Sequence, residues 1–416
     1  MINPKSLKKF GLLGSLYVSQ FIPIACLYEA LPVLMRQRGA SLEAIGFLPL
    51  LTLPWMLKFL WSPPIDRYGF TRWGHYRFWI ICFQLMVACT LVAFAFIDIQ
   101  SQLNLAFLCL VIICFVCASQ DIATDALAVG LLEPHERGFG NGIQSAGNYL
   151  GAIIGGGGML ISIERWGWKA SMLSLAVVIV VALLPVLGYK EPTSKHQKLA
   201  RAASNSQKSA NPFMDIVNFF RRPGIGSWLA ILALYTTGPY MASRMFRPLL
   251  VDIGLSVGDI GLMLGIVSYG VGILGAIAGG FPIAIWGRKR SLILLGFFQV
   301  LMMLTYLLPA FGVANLPILY VVAIGTNFAS SMAVTVLYTI MMDKSRLETA
   351  GTEYTLQSST TFFSGIIAAA IGGVIAQAIG YKGVFIISIA IALLSIAIVA
   401  RAFNDTTITQ LTPGIK

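Results

Sequence analysis

The chain has 416 residues, of which 57% are hydrophobic and 11% charged, with a net charge of +12 and a mean hydropathy of +0.80. Soluble domains carry about 25% charged residues, so the composition excludes a soluble enzyme or nucleic-acid-binding domain. It points instead to an all-α protein of the lipid bilayer, long enough for about a dozen spans of ~20 residues.

Twelve apolar segments are predicted, near 10–35, 43–64, 78–97, 104–132, 139–162, 168–189, 224–251, 258–285, 290–310, 315–342, 352–378 and 383–403. The first is too long for the apolar core of a signal peptide, and no small-residue cleavage site follows it. One long polar connection, 190–222, contains Lys195, His196, Lys198, Arg201, Ser204 and Gln207. That is the composition of a solvated linker. It divides the chain into an N-terminal six-helix half (1–189), the linker (190–222) and a C-terminal six-helix half (223–416).

Charge sets the expected orientation. With the N-terminus in the cytoplasm, only Arg36, Arg38, Arg165, Lys169 and Lys382 of the 29 Lys and Arg fall on the opposite side outside the spans. Lys58, Arg244 and Arg247 fall within spans. The bias predicts cytoplasmic termini and a cytoplasmic linker, and it accounts for the net charge without a nucleic-acid partner. The six cysteines (Cys26, Cys82, Cys89, Cys109, Cys114, Cys117) lie in apolar runs and read as packing residues. The three histidines fall in loops, so neither a metal site nor a cofactor is expected.

The halves repeat each other. Gly39-Ala-Ser41 through Ile45-Gly46 matches Gly254-Leu-Ser256 through Ile260-Gly261 at an offset of 215. Gly138 with Gln144-Ser145 matches Gly351 with Gln357-Ser358 at 213, and Gly167-Trp168-Lys169 matches Gly380-Tyr381-Lys382 at the same offset. A parallel repeat of two six-span halves predicts a solute site near the membrane midplane between them.

The run Ser119-Gln120-Asp121-Ile122-Ala123-Thr124-Asp125 puts two carboxylates one turn apart on one helix face. At hydrocarbon depth a carboxylate costs several kcal/mol unless it meets a cavity or a partner. Asp121 and Asp125 are therefore candidates for proton coupling, the alternative being that they pin neighbouring helices. Glu29, mid-span beside Tyr28, is a third candidate, and the repeat sets it opposite Arg244 on span seven. Arg244 and Arg247 suit an anionic solute, because a guanidinium holds carboxylate oxygens in pairs. A Glu29–Arg244 latch between the halves is the alternative. Lys58 is either the partner of an aspartate or a snorkelling side chain, and it joins Tyr28, Asn148, Tyr240 and Asn327 as a candidate for solute binding.

Asp66-Arg67-Tyr68-Gly69 between spans two and three resembles the loop motif of the major facilitator superfamily, and Gly287-Arg288-Lys289-Arg290 stands at the corresponding place in the second half. The second copy has Ala284 three residues before its Gly where the first has Asp66. The resemblance implies a twelve-helix transporter in two pseudo-symmetric halves, with Asp66, Arg67 and Arg288 as gating residues. Leu53-Pro54-Trp55, Lys58-Phe59-Leu60-Trp61-Ser62-Pro63, Gln120 through Ala126 and Glu136-Arg137-Gly138 are similar to the branch holding AmpG-type muropeptide permeases and acetyl-CoA transporters. Within it, the compact chain looks most like the RhtX/FptX group of siderophore importers. That resemblance implies a monomeric, proton-driven inner-membrane importer of a siderophore, with a muropeptide or another organic anion as the alternative cargo. No nucleotide-binding loop is present, and two carboxylates on one helix cannot flank a peptide bond as a protease dyad must, so no enzyme is expected.

Overall fold

A computed structural model describes residues 4–31, 51, 53–69, 73–98, 102–191 and 213–403. Every regular element among them is helical. Arg36, Arg38, the first copy of the Gly-x-Ser repeat and most of the linker lie outside the described residues.

The chain opens with α1 (Pro4–Ala25), which continues into a π-helical turn, Cys26–Ala30. The described part of span two is not one helix. It runs as α2 (Leu53–Leu57), a 3-10 turn (Lys58–Leu60) and α3 (Ser62–Arg67). Pro63 and Pro64 have no N–H to give to the carbonyls one turn earlier, and their rings crowd that turn. The Phe59 carbonyl is taken instead by the Ser62 hydroxyl at 3.0 Å, and the Lys58 carbonyl by the Trp61 N–H at 3.2 Å.

Then follow α4 (His75–Ala95), α5 (Leu103–Leu131), α6 (Arg137–Ile153) and, after a second π-helical turn at Ile154–Gly158, α7 (Met159–Val181) and α8 (Leu184–Gly188). The second half holds α9 (Met214–Phe220), α10 (Ile225–Asp252), α11 (Val257–Ile260), a third π-helical stretch at Gly261–Val267, α12 (Ser268–Ala278), α13 (Gly280–Leu304), α14 (Leu307–Ala310), α15 (Leu316–Lys344) and α16 (Ala350–Ala402).

Among the described residues, seven helical stretches are long and apolar enough to cross a membrane. Two of them, Arg137–Gly188 and Leu347–Ala402, run 52 and 56 residues. At 1.5 Å per residue that is roughly 80 Å of helix, far beyond a ~30 Å hydrocarbon core. Each is broken at one glycine. Gly167 has φ 76° and ψ 170°, and Gly380 has φ 75° and ψ 175°. Gly287 breaks α13 in the same way, at φ 76° and ψ 176°. Only glycine visits that backbone region without a steric penalty. All three breaks fall where one predicted span gives way to the next.

Chain contacts divide the molecule into two units. The first comprises the described residues of Met1–Glu133, Gly147–Asn218 and Ser345–Leu356. The second comprises those of Pro134–Ala146, Phe219–Lys344 and Gln357–Lys416. The division differs from the sequence boundary in two short segments, each of which clusters with the opposite half. The core of the first unit gathers Ile22, Leu27, Leu91, Phe94, Ile113, Met159 and Met172, among others. That of the second gathers Phe246, Leu250, Met263, Met303, Leu319 and Phe385.

Candidate functional site

Three of the charges predicted at membrane depth in the first unit, Lys58, Asp121 and Asp125, meet in one cluster. Asp121 and Asp125 stand on successive turns of α5. Lys58, in the 3-10 turn made by the broken span, is 0% exposed, and its Nζ touches Asp121 Oδ2 and lies 3.9 Å from Asp125 Oδ2. It also sits 5.9 Å from the Trp55 ring centroid. From α1, the Gln20 amide donates to Asp121 Oδ1, and the Tyr17 hydroxyl donates to Asp125 Oδ1 at 2.9 Å. Tyr17 and Gln20 are three residues apart, so both look to the same side of their helix. A second polar layer backs the cluster: the Gln84 amide donates to the Ser19 hydroxyl and the Ile179 carbonyl, and Gln120 donates to Gln84.

Of the two readings open for Lys58, the structure has it as the aspartates' partner. It is sealed from solvent by these contacts. Tyr28 and Glu29 lie in the π-helical turn Cys26–Ala30, and their side chains fall outside the described residues. Single π-turns recur at functional sites because they displace side chains from the helical register. This one packs on the glycine-rich turn Ile154–Gly158, where Gly155 abuts the Ile22 carbonyl so closely that a Cβ would come within 2.1 Å of it.

The loop aspartate forms a second site in the first unit. Asp66 is buried and accepts three hydrogen bonds: from the Tyr76 hydroxyl at 2.8 Å, the Gly351 N–H at 2.9 Å and the Thr352 N–H at 2.6 Å. The last two are orphan donors at the start of α16, where the helix dipole favours an anion. Burial pushes the Asp66 carboxyl up to about 6, against the pull of the bonds from Thr352, Tyr76 and Gly351. Gly351 is required at this contact: a Cβ there would stand 2.7 Å from Asp66 Oδ1 and 3.1 Å from Ile122. Arg67 is half-buried beside it. The segment is braced from behind by Glu353, 0% exposed, which accepts the Arg346 N–H at 3.0 Å, the Arg346 guanidinium at 2.5 Å and the Thr349 hydroxyl at 3.0 Å.

The second unit holds a different ionic lock. Asp343, at the end of α15, takes Arg137 at 2.8 Å and Arg288 at 3.0 Å, one guanidinium on each carboxylate oxygen. Arg288 also donates to the Pro134 carbonyl at 2.8 Å. Arg137 stands one residue before Gly138 at the head of α6, as Ala350 does before Gly351. The left-handed glycines fix the register of the repeat here. Gly74 has φ 89° and Gly287 φ 76°, and they are 213 residues apart, as are Gly167 and Gly380. Trp73-Gly74-x-x-Arg77 therefore matches Trp286-Gly287-x-x-Arg290, and the position paired with Asp66 is Gly279, not Ala284. One residue on, the second unit has a close backbone contact: a Cβ on Gly280 would lie 2.9 Å from the Gly138 carbonyl.

The remaining predicted solute contacts fall in both units. Arg244 and Arg247 are exposed on α10, one turn apart. Tyr240, on the same helix, lies against Gly365, and Asn327 on α15 accepts the Ser331 hydroxyl through its carbonyl at 2.8 Å. Asn148 is half-buried on α6 in the first unit. Sequence reasoning missed Gln20, Tyr17, Asp343, Arg346 and Glu353. The first two carried a signal, as polar residues three apart in a span. Asp343 and Glu353 sit at span ends, where an acidic residue reads as ordinary.

Comparison with known proteins bears on what these sites serve. The Major Facilitator Superfamily profile matches residues 13–352 and 240–414. The anhydromuropeptide permease of Escherichia coli K12 is 26% identical over 373 residues, covering 89% of this chain and 75% of the permease. Among solved structures, a bacterial homologue of the iron transporter ferroportin in an outward-facing state aligns with a TM-score of 0.69 at 16% identity, over 95% of this chain and 98% of that one. The transporter FucP in its outward conformation aligns with a TM-score of 0.69 at 13% identity, over 96% and 100%. At those identities the structural likeness concerns the fold alone. With permeases and transporters rather than enzymes as its relatives, and with the profile spanning nearly its whole length, this multi-pass membrane chain belongs to the Major Facilitator Superfamily.

Proposed function

We propose that this chain is a proton-driven permease of a bacterial inner membrane, with cytoplasmic termini, that imports a muropeptide or a comparable sugar-linked peptide anion by alternating access. The observation that carries the cargo class is the relation to the Escherichia coli muropeptide permease along 89% of the chain. That relation favours the muropeptide reading over the siderophore one, and the muropeptide reading takes its place.

The chemistry of the residues agrees with an anion carried by a proton gradient. Arg244 and Arg247, exposed one turn apart on α10, offer two planar forks to carboxylates. Asp121 and Asp125 are the only pair of carboxylates among the described spans that share a buried lysine, and they are the groups we assign to the proton. The Asp66 and Asp343 contacts then act as latches that one state makes and the other releases.

The test is uptake of labelled anhydromuropeptide into proteoliposomes under an imposed pH gradient. Accumulation should require the gradient, and Asp121→Asn or Asp125→Asn should abolish uphill accumulation while leaving exchange. Arg244→Gln and Arg247→Gln should weaken binding. Absence of muropeptide binding by folded protein would remove this reading.

A further inference from the structure

The cluster in the first unit contains one group that its present arrangement leaves unsatisfied. Gln20 donates its amide N–H to Asp121, and its own Oε1 is buried with no hydrogen-bond partner. The side chain is 4% exposed. A buried acceptor left unpaired costs about 1–3 kcal/mol. An ionised Asp121 forces that cost, because only the NH₂ face of the amide can meet a carboxylate. A protonated Asp121 removes it, since the amide can turn over and take the acid O–H on Oε1.

The surroundings allow the rest of such a switch. The titratable and charged groups around Asp121 are Tyr17 from α1, Lys58 from the 3-10 turn, Cys117 and Asp125 from α5 itself, and Tyr354 from α16 beyond Tyr17. Lys58 touches Asp121 and is 3.9 Å from Asp125 Oδ2, while Asp125 Oδ1 already holds the Tyr17 hydroxyl. The Asp121 side chain is 16% exposed and that of Asp125 2%, so a proton from water reaches Asp121 first.

We propose that Asp121 carries the transported proton, that Gln20 is the positioning residue whose amide turns over to accept it, and that Lys58 passes from Asp121 to Asp125 when it arrives. The proton adds to Asp121 Oδ1 and cancels its charge. The Gln20 carbonyl accepts the new O–H. Lys58, no longer held by a carboxylate at Asp121, closes the gap to Asp125. The cluster then holds one ammonium, one carboxylate and one carboxylic acid. Loss of the proton reverses each step. In neither state is the buried ammonium left without a counter-ion, which is what makes the exchange possible at membrane depth. The use of this switch rests on the proton-driven reading above; its test does not.

The test is pH-difference infrared spectroscopy on the purified full chain in lipid, without cargo. In an Asp66→Asn background, which removes the other buried carboxyl that takes a proton near pH 6, acidification should bring up one buried carboxylic-acid band. Asp121→Asn should remove the band, and Asp125→Asn should keep it. Gln20→Leu should shift the band to higher frequency, because the acid O–H has lost its acceptor, a change that a purely structural role for Gln20 would not produce. A band that survives Asp121→Asn, that Gln20→Leu leaves in place, or that answers to sodium rather than to pH overturns the proposal. If Asp121→Asn does not fold, the Gln20→Leu shift decides alone. Failure of muropeptide uptake with the band behaving as described would refute the cargo and leave the switch standing.

Discussion

Replacing Asp66 with alanine removes the acceptor for two backbone donors at the head of α16. The Gly351 and Thr352 N–H groups, now closed at 2.9 and 2.6 Å, would be left buried and unpaired, at about 1–3 kcal/mol each. Against this stands the cost of burying the carboxylate. Its shift from 3.8 to about 6 corresponds to about 3 kcal/mol by which the ionised form sits less favourably than the protonated one when docked. Two donors at about 2–6 kcal/mol in all against about 3 leave a loosening of the segment Ser345–Leu356 centred on about 1 kcal/mol, a factor of roughly 5 in its opening equilibrium. Asp66→Asn keeps one acceptor and carries no charge, so its loosening should be smaller. Hydrogen exchange over residues 347–356 reads this directly. The same shift fixes the pH dependence. The docked carboxyl binds its proton more tightly than a solvated one, so its contribution to docking is full below about pH 4 and is lost as pH rises through about 6. Protection of the segment, corrected for intrinsic rates, should therefore be greater at about pH 5 than at about pH 7.5, and Asp66→Ala should flatten the difference. Equal exchange in wild type and Asp66→Ala at both pH values would refute the reasoning.

Other perturbations test the remaining contacts. Asp343→Asn strips Arg137 and Arg288 of their shared carboxylate and should destabilise the protein by up to about 3–5 kcal/mol, seen as a lower thermal midpoint. Lys58→Met should be worse than Lys58→Met/Asp121→Asn, because the single variant leaves the part-buried Asp121 and the buried Asp125 without their cation; a double-mutant cycle in thermal shift gives the coupling, and an additive result would deny the pairing. Glu353→Gln, which weakens the brace on Arg346 and Thr349, should speed exchange at 347–356 without altering the Asp121 band. Gly155→Ala puts a methyl 2.1 Å from the Ile22 carbonyl and should cost about 1–3 kcal/mol or prevent folding, whereas Gly157→Ala, with open space around it, should be tolerated in expression and melting.

Much of this molecule was written in its sequence. Apolar runs of bilayer length determined that it is a helical membrane protein, because backbone groups in hydrocarbon must pair within their own segment. The internal repeat and the loop motif marked the family, and the depth of Asp121 and Asp125 marked them as needing a cavity or a partner, with Lys58 as one candidate, since isolated charges there are too costly. The tertiary structure decided what pattern alone leaves open. The repeat's register in the loop came from the left-handed backbone at Gly74 and Gly287, where a motif alignment on Asp66 and Ala284 had slipped it. The partners of the buried charges, Gln20 and Tyr17, came from a helix over a hundred residues away in sequence. The anchoring of Asp66 on the first turn of α16 joins residues 285 apart. Helix periodicity reports which residues share a face, but a long-range hydrogen bond depends on which faces meet, and packing alone fixes that.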